Sequence, residues 1–149
     1  MKKQVLVLIS TMILIMLSAG VNAQDNTAKA KGLTPPDGKA LIYVFRPSSK
    51  AFAIKFPINV DDRAIATLGS KDFGFIYLSP GKHQLKGLSG PNKASVVDIE
   101  VEAGKTYYYL VEPKMGALTA RAKISVFDAA KGPKAMKKCS LADNNQEKL

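Results

Sequence analysis

Ala40-Leu41-Ile42-Tyr43-Val44-Phe45 is the stretch that decides the fold. Every position is apolar, and β-branched and aromatic residues, the good strand formers, predominate. A strand turns successive side chains to opposite faces, so a run without alternation is apolar on both and belongs at the centre of a sheet. Pro47-Ser48-Ser49 ends it.

Downstream the apolar residues recur with period two, punctuated by turn residues at intervals of roughly 8 to 12 positions, as in an all-β sandwich or barrel. Phe56, Ile58 and Val60 point inward, and Pro57 between them, lacking an N–H, predicts an edge strand or a bulge. Asp61-Asp62-Arg63 reads as a tight turn, with a short strand from Ile65 to Leu68 after it. Phe73, Phe75 and Tyr77 share one face of the next strand, with Ile76 and Leu78 on the other. Pro80-Gly81 reverses the chain into a returning strand that starts at His83-Gln84-Leu85. Val97, Ile99 and Val101 alternate with Asp98, Glu100 and Glu102, giving an acidic outer face. Ala103-Gly104-Lys105 turns into a strand from Thr106 to Val111, and the last strand runs near Ala120 to Phe127. Ala129 to Cys139 is the one helix candidate, with Pro133 in its first turn and Met136 and Cys139 three apart on one face.

The N-terminus carries an address. Lys2-Lys3, an uncharged run from Val5 to Leu17, and short residues at Val21-Asn22-Ala23 form the three parts of a secretory signal peptide, with cleavage after Ala23. Two alternatives stand beside it. An uncleaved anchor needs about 20 apolar residues, more than Val5 to Val21 supplies. A lipoprotein needs a cysteine where Val21 stands. The organisation read from this is a signal peptide over 1–23, a flexible leader over 24–37 with Pro35-Pro36, a β-sandwich domain over 38–141 and a disordered polar tail over 142–149. Losing Lys2 and Lys3 takes the net charge from +10 to +8. Such a chain is drawn weakly to anionic envelope polymers or lipid head groups, but its lysines are scattered. Cys139 is the only cysteine, so the thiol is either buried as a small apolar group or bonded to another molecule.

Candidate chemistry is thin. His83 is the only histidine, so a multi-histidine metal site is excluded. Cys139 and His83 as nucleophile and base lie in unrelated contexts, and a ring nitrogen bonded to backbone is the expected role of His83. Asp61-Asp62 suits a turn better than a calcium loop, which needs more oxygen ligands. Asp98, Glu100 and Glu102, about 6 to 7 Å apart in steps of two, form a solvated stripe facing neighbouring lysines. Gly104-Lys105-Thr106 precedes a strand and is no phosphate loop. In Tyr107-Tyr108-Tyr109 the middle ring is expected to be the more exposed, a packing residue or a sugar contact. No catalytic, cofactor-binding or metal-ligating set is assigned, and export argues against nucleic acid as a partner.

The ordered pieces Gly38-Lys39-Ala40-Leu41-Ile42-Tyr43-Val44-Phe45-Arg46-Pro47-Ser48-Ser49, Val60-Asp61-Asp62, Tyr77-Leu78-Ser79-Pro80-Gly81-Lys82-His83, Glu102-Ala103-Gly104-Lys105-Thr106-Tyr107-Tyr108 and Lys137-Lys138-Cys139 resemble the bacterial exported family called domain of unknown function 2846. The resemblance implies a small envelope β-sandwich, often a lipoprotein, without an established activity. Val21 in place of the lipid-bearing cysteine departs from that pattern. The fold expected is an antiparallel sandwich of immunoglobulin or transthyretin type with about 7–8 strands and one short C-terminal helix. The function expected is a non-catalytic binding or accessory module of the cell envelope, periplasmic or secreted, with an envelope protein or anionic polymer as partner. An electrostatic binder of anionic polymer or lipid is the alternative, and a hydrolase comes third.

Overall fold

The computed structural model describes residues 23–90, 93–116 and 120–149; the signal peptide read over 1–23 lies outside them except for Ala23. Nine strands among the described residues form two sheets: β1 (Ala40–Arg46), β2 (Phe56–Val60), β3 (Arg63–Leu68), β4 (Asp72–Leu78), β5 (Gly81–Leu88), β6 (Ala94–Val101), β7 (Thr106–Met115), β8 (Ala120–Phe127) and β9 (Ser140–Leu141). One sheet runs β8-β7-β1-β4-β9 and the other β3-β2-β5-β6. The sandwich is the expected one, with two parallel pairings, β1 with β7 and β4 with β9, added to the antiparallel ladders.

β1 sits at the centre of its sheet and every residue in it is buried. Ile42 and Val44, with Ile76 of the neighbouring β4, face the other sheet, where Phe56, Ile58 and Val60 meet them. Leu41, Tyr43 and Phe45 face away, into a second cluster with Phe73, Phe75 and Tyr108. Each fully buried ring or branched chain here contributes about 1.5–3 kcal/mol, so the second face needs a cover.

Two helices supply it, and one corrects the reading of 24–37 as a flexible leader. Residues 23–31 form helix α1, favoured by alanines and an Asp25–Lys29 pair of 2.7 Å, and stopped at Gly32. Ala30 is buried, small enough for the helix to press on Tyr43, whose hydroxyl donates to the Ala30 carbonyl at 2.6 Å. The C-terminal helix α2 (Gly132–Ala135) begins with Pro133 in its first turn, and a 3₁₀ turn (Met136–Lys138) follows. Met136 and Cys139 are both buried, but the helix read over Ala129 to Cys139 is confined to Gly132–Lys138, and Cys139 follows it in extended backbone. A Cβ on Gly132 would lie 2.4 Å from the Tyr108 ring, so only glycine lets α2 approach.

The tail expected to be disordered instead closes a seam. Beyond β9, Asn145 Oδ1 accepts the Phe75 N–H at 2.9 Å and Asn144 Oδ1 the Thr67 N–H at 3.0 Å, while Gln146 N donates to Ile65 O at 2.8 Å. The side chains thus satisfy backbone groups on the facing edges of β3 and β4. Pro57 takes the bulge alternative: β2 is an interior strand, irregular between Ile58 and Asn59, and its ladder with β5 starts only at Ile58. Pro80-Gly81 does not make a hairpin. Gly81, at φ +130, carries the chain from β4 across to the other sheet, where β5 pairs with β2 and β6.

Candidate functional site

Three features that are separate in sequence converge at one end of the sandwich. The β2–β3 connection is a two-residue turn in which Asp61 and Asp62 both hold positive φ, +44 and +66, the pattern of a type I′ hairpin. That geometry aims the Asp61 carboxylate back along β5. One oxygen accepts the Gln84 N–H at 2.8 Å, and the other meets Nδ1 of His83. The far ring nitrogen, Nε2, lies 2.8 Å from the Ser79 carbonyl in the β4–β5 connection. Gln84 Nε2 donates to Asp98 on β6 at 3.1 Å, Lys82 stands opposite Glu100, and Lys86 pairs with Asp62 at 2.7 Å. Asp61, Lys82, His83, Gln84, Asp98 and Glu100 line a groove of about 480 Å³.

The electrostatics follow from the partners. Both ring nitrogens of His83 face oxygens that only accept, which favours the doubly protonated ring. Burial pulls the imidazole pKa down, but the hydrogen bonds to Asp61 and to the Ser79 carbonyl outweigh it, and the net shift is upward. The Asp61 carboxyl is held below its ordinary range, first by the His83 hydrogen bond and then by the Gln84 N–H. In this arrangement neither nitrogen offers a lone pair to abstract a proton from a ligand. What the groove offers is an imidazole held at both nitrogens, with carboxylates and a lysine beside it.

Cys139 is not brought to this place. The residue after it, Ser140, pairs with Asp72 at the start of β4, whereas His83 bonds to Ser79 just past the end of β4. The length of that strand, on the order of 20 Å, separates them. The thiol is buried under the C-terminal helix, and burial pushes its pKa up to about 11. Tyr108, expected to be the more exposed of its trio, is buried in the outer cluster and stacks on Tyr43 at 5.2 Å. β7 is covered on both faces, and the alternation of its tyrosines could not show that. Glu102 leaves the acidic stripe to pair with Lys105 at 2.8 Å. Lys131, Lys134, Lys137 and Lys138 are all exposed. Among the described residues no three His, Cys, Asp or Glu side chains gather as metal ligands.

Sequence reasoning missed Arg46. Its side chain is fully buried, and Nη1 donates to Ile54 O at 2.6 Å while Nη2 donates to Lys50 O at 2.6 Å and Ala51 O at 2.8 Å. The guanidinium also lies 5.0 Å over the Phe56 ring. The available signal was its position: an arginine ending a strand that is apolar on both faces is carried inward and needs acceptors.

Residues 36–123 match the family described as "Protein of unknown function (DUF2846)". The chain belongs to that family. The match spans β1 to the first half of β8, so it holds both the Asp61–His83 groove and the loop held by Arg46. A protein of Haemophilus influenzae described as uncharacterized is similar, 26% identical over 119 residues, which is 80% of this chain and 70% of that protein. No helix among the described residues of this DUF2846 member is long and apolar enough to cross a membrane.

Proposed function

We propose that the protein is an exported, non-catalytic β-sandwich that serves as a binding or accessory module of the bacterial cell envelope. One observation carries the non-catalytic part. Both ring nitrogens of the only histidine are committed to Asp61 and Ser79, and the only cysteine is buried a strand's length away. The residues best suited to nucleophilic or acid–base work are therefore structural. Export is supported by the layout of the first 23 residues, and a location in the periplasm or outside the cell follows from it.

The two parts are tested separately. The full chain produced in a bacterium is expected in the envelope fraction without detergent, with an intact mass that begins at Gln24. Retention of Met1 to Ala23, or a lipid adduct, overturns soluble export. His83→Gln and Cys139→Ser variants that remain folded are expected to capture the same envelope partner as the wild type. A folded variant that has lost that capture would return His83 or Cys139 to the functional machinery.

A second reading, attraction to an anionic envelope polymer or lipid surface, draws on the +8 charge of the chain after cleavage and on the four exposed lysines of the C-terminal helical segment. Exposed charges are screened over about 10 Å at 0.1 M salt, so binding of this kind falls steeply with ionic strength. A hydrolase is the least supported reading, because both ring nitrogens of His83 are already engaged.

A further inference from the structure

The end of the sandwich opposite the His83 groove combines cations with exposed apolar tips. β1 and β7 run parallel and are paired as far as Phe45 and Leu110, so β7 continues past β1 on the side where the 47–55 loop leaves it. Ser48 and Lys50 from that loop and Glu112, Lys114 and Lys123 from β7 and β8 line one hollow of about 300 Å³. Lys93 and Arg121 line a second, and Lys55 faces Ser89 and Ala120 across a third. All six of these cations are exposed and none forms an ion pair among the described residues. Glu112 is the one acidic residue lining the three hollows.

Two large apolar side chains project from the same end. Phe52 is 77% exposed and Met115 is 70% exposed. Phe52 is not on a floppy loop. It stands at the corner of a turn closed by Ile54 N to Ala51 O at 3.0 Å, and the Arg46 guanidinium grips the Lys50, Ala51 and Ile54 carbonyls beneath it. Holding an aromatic tip rigid in water gains nothing for the fold; it lowers the ordering entropy lost on inserting that tip elsewhere.

We infer that this loop end docks on an anionic lipid bilayer, with Phe52 and Met115 entering the headgroup layer and the surrounding lysines and Arg121 meeting lipid phosphates. The inference rests on the electrostatic reading above and gives that attraction a place and an orientation. Charge complementarity favours an anionic surface, and the apolar tips favour a bilayer over a polysaccharide, which has no hydrocarbon to receive them.

The test uses the full mature chain and vesicles of phosphatidylethanolamine and phosphatidylglycerol in equal parts. The wild type is expected to bind at physiological salt. Phe52→Ser with Met115→Ser is expected to weaken binding about a hundredfold, tenfold for each tip. Both residues are solvent-exposed, and an unchanged unfolding midpoint confirms that the variant is folded. The chain has no tryptophan, so Phe52→Trp supplies a single reporter whose emission is expected to shift to the blue when vesicles are added. Replacing Lys131, Lys134, Lys137 and Lys138 with glutamine is expected to leave the binding nearly unchanged. Vesicle binding that ignores Phe52 and Met115 but falls with the four helix lysines overturns the docking face while leaving diffuse attraction intact. No vesicle binding even at low salt overturns both. Tighter, Phe52-dependent binding to a soluble anionic polysaccharide than to vesicles overturns the bilayer as partner.

Discussion

The two ends of the sandwich fasten their loops by opposite means. At the loop end a buried cation, Arg46, is held through its two terminal nitrogens by neutral backbone carbonyls. At the groove end a half-exposed anion, Asp61, ties two strands together through His83 and the Gln84 N–H. A buried guanidinium stays charged at any ordinary pH, and removing it strands its acceptors. An ion pair open to water is worth little and varies with pH and salt. One end is therefore built for permanence and the other is adjustable.

The sharpest way to break this contrast is Arg46→Ala. Four buried or half-buried carbonyls, those of Lys50, Ala51, Ile54 and Leu68, lose their donor and Phe56 loses its cover, so stability is expected to fall by about 3 kcal/mol or more. Arg46→Lys is expected to recover less than about half, since one ammonium cannot span the acceptors that two guanidinium nitrogens reach. Denaturant midpoints measure both, and a neutral Arg46→Ala would mean that the loop is held by something else. Cys139 provides an internal reporter. In the native wild type it is expected to react slowly with thiol reagents and fast once unfolded. Equal rates in the two states, or a disulfide-linked dimer from envelope, would point to partner linkage.

The groove end is expected to respond to pH, and the sign is fixed. The folded protein holds the His83 proton more tightly than the unfolded chain, whose ordinary value is 6.5. Its stabilisation is complete below that value and disappears as pH rises through the higher folded pKa. Asp61 acts in the other direction: its contribution is present above the ordinary 3.8 and is lost as pH falls through the depressed folded value. Stability from the pair should peak between these limits and decline by less than about 1 kcal/mol from mildly acidic to mildly alkaline solution. His83→Gln should flatten that decline in thermal melts, and a slope that survives the substitution assigns it to another group. The smallest effect is expected of Lys86→Gln, which removes an ion pair whose Asp62 partner is almost fully exposed. A shift above about 0.5 kcal/mol would show the turn to be more strongly fastened than its exposure allows.

The same contrast explains what the sequence could tell. Phe56, Ile58 and Val60, and Val97, Ile99 and Val101, advertise their inner face by strict alternation. The two-sided apolarity of β1 announced that both faces are covered, yet part of the cover on the outer face is α1, a segment of alanines, lysines and small polar residues whose buried residue is Ala30. A methyl group leaves almost no hydrophobic signature. The tail was illegible for a different reason: Asn144 and Asn145 bind backbone through their side chains, and polar composition alone reads as disorder. At the groove each residue was visible, but His83 meets Asp61 only because Val60 pairs with Leu85, a register that no local pattern contains. Arg46 was the reverse: a visible burial with acceptors that exist only once the following loop has folded.

The seam closed by the tail also governs the order of assembly. A chain emerging from its N-terminus presents β1 long before β7, yet β1 is flanked by β4 on one side and by β7 on the other. Even then, the edges of β3 and β4 keep unpaired backbone groups until residues 140–147 arrive. Long-range pairing of this sort is slow, and open strand edges invite other chains while it is incomplete. A nascent or truncated chain ending before β9 would thus be a sticky, unfinished sheet, and the last few polar residues act as the clasp that takes it out of reach of its neighbours.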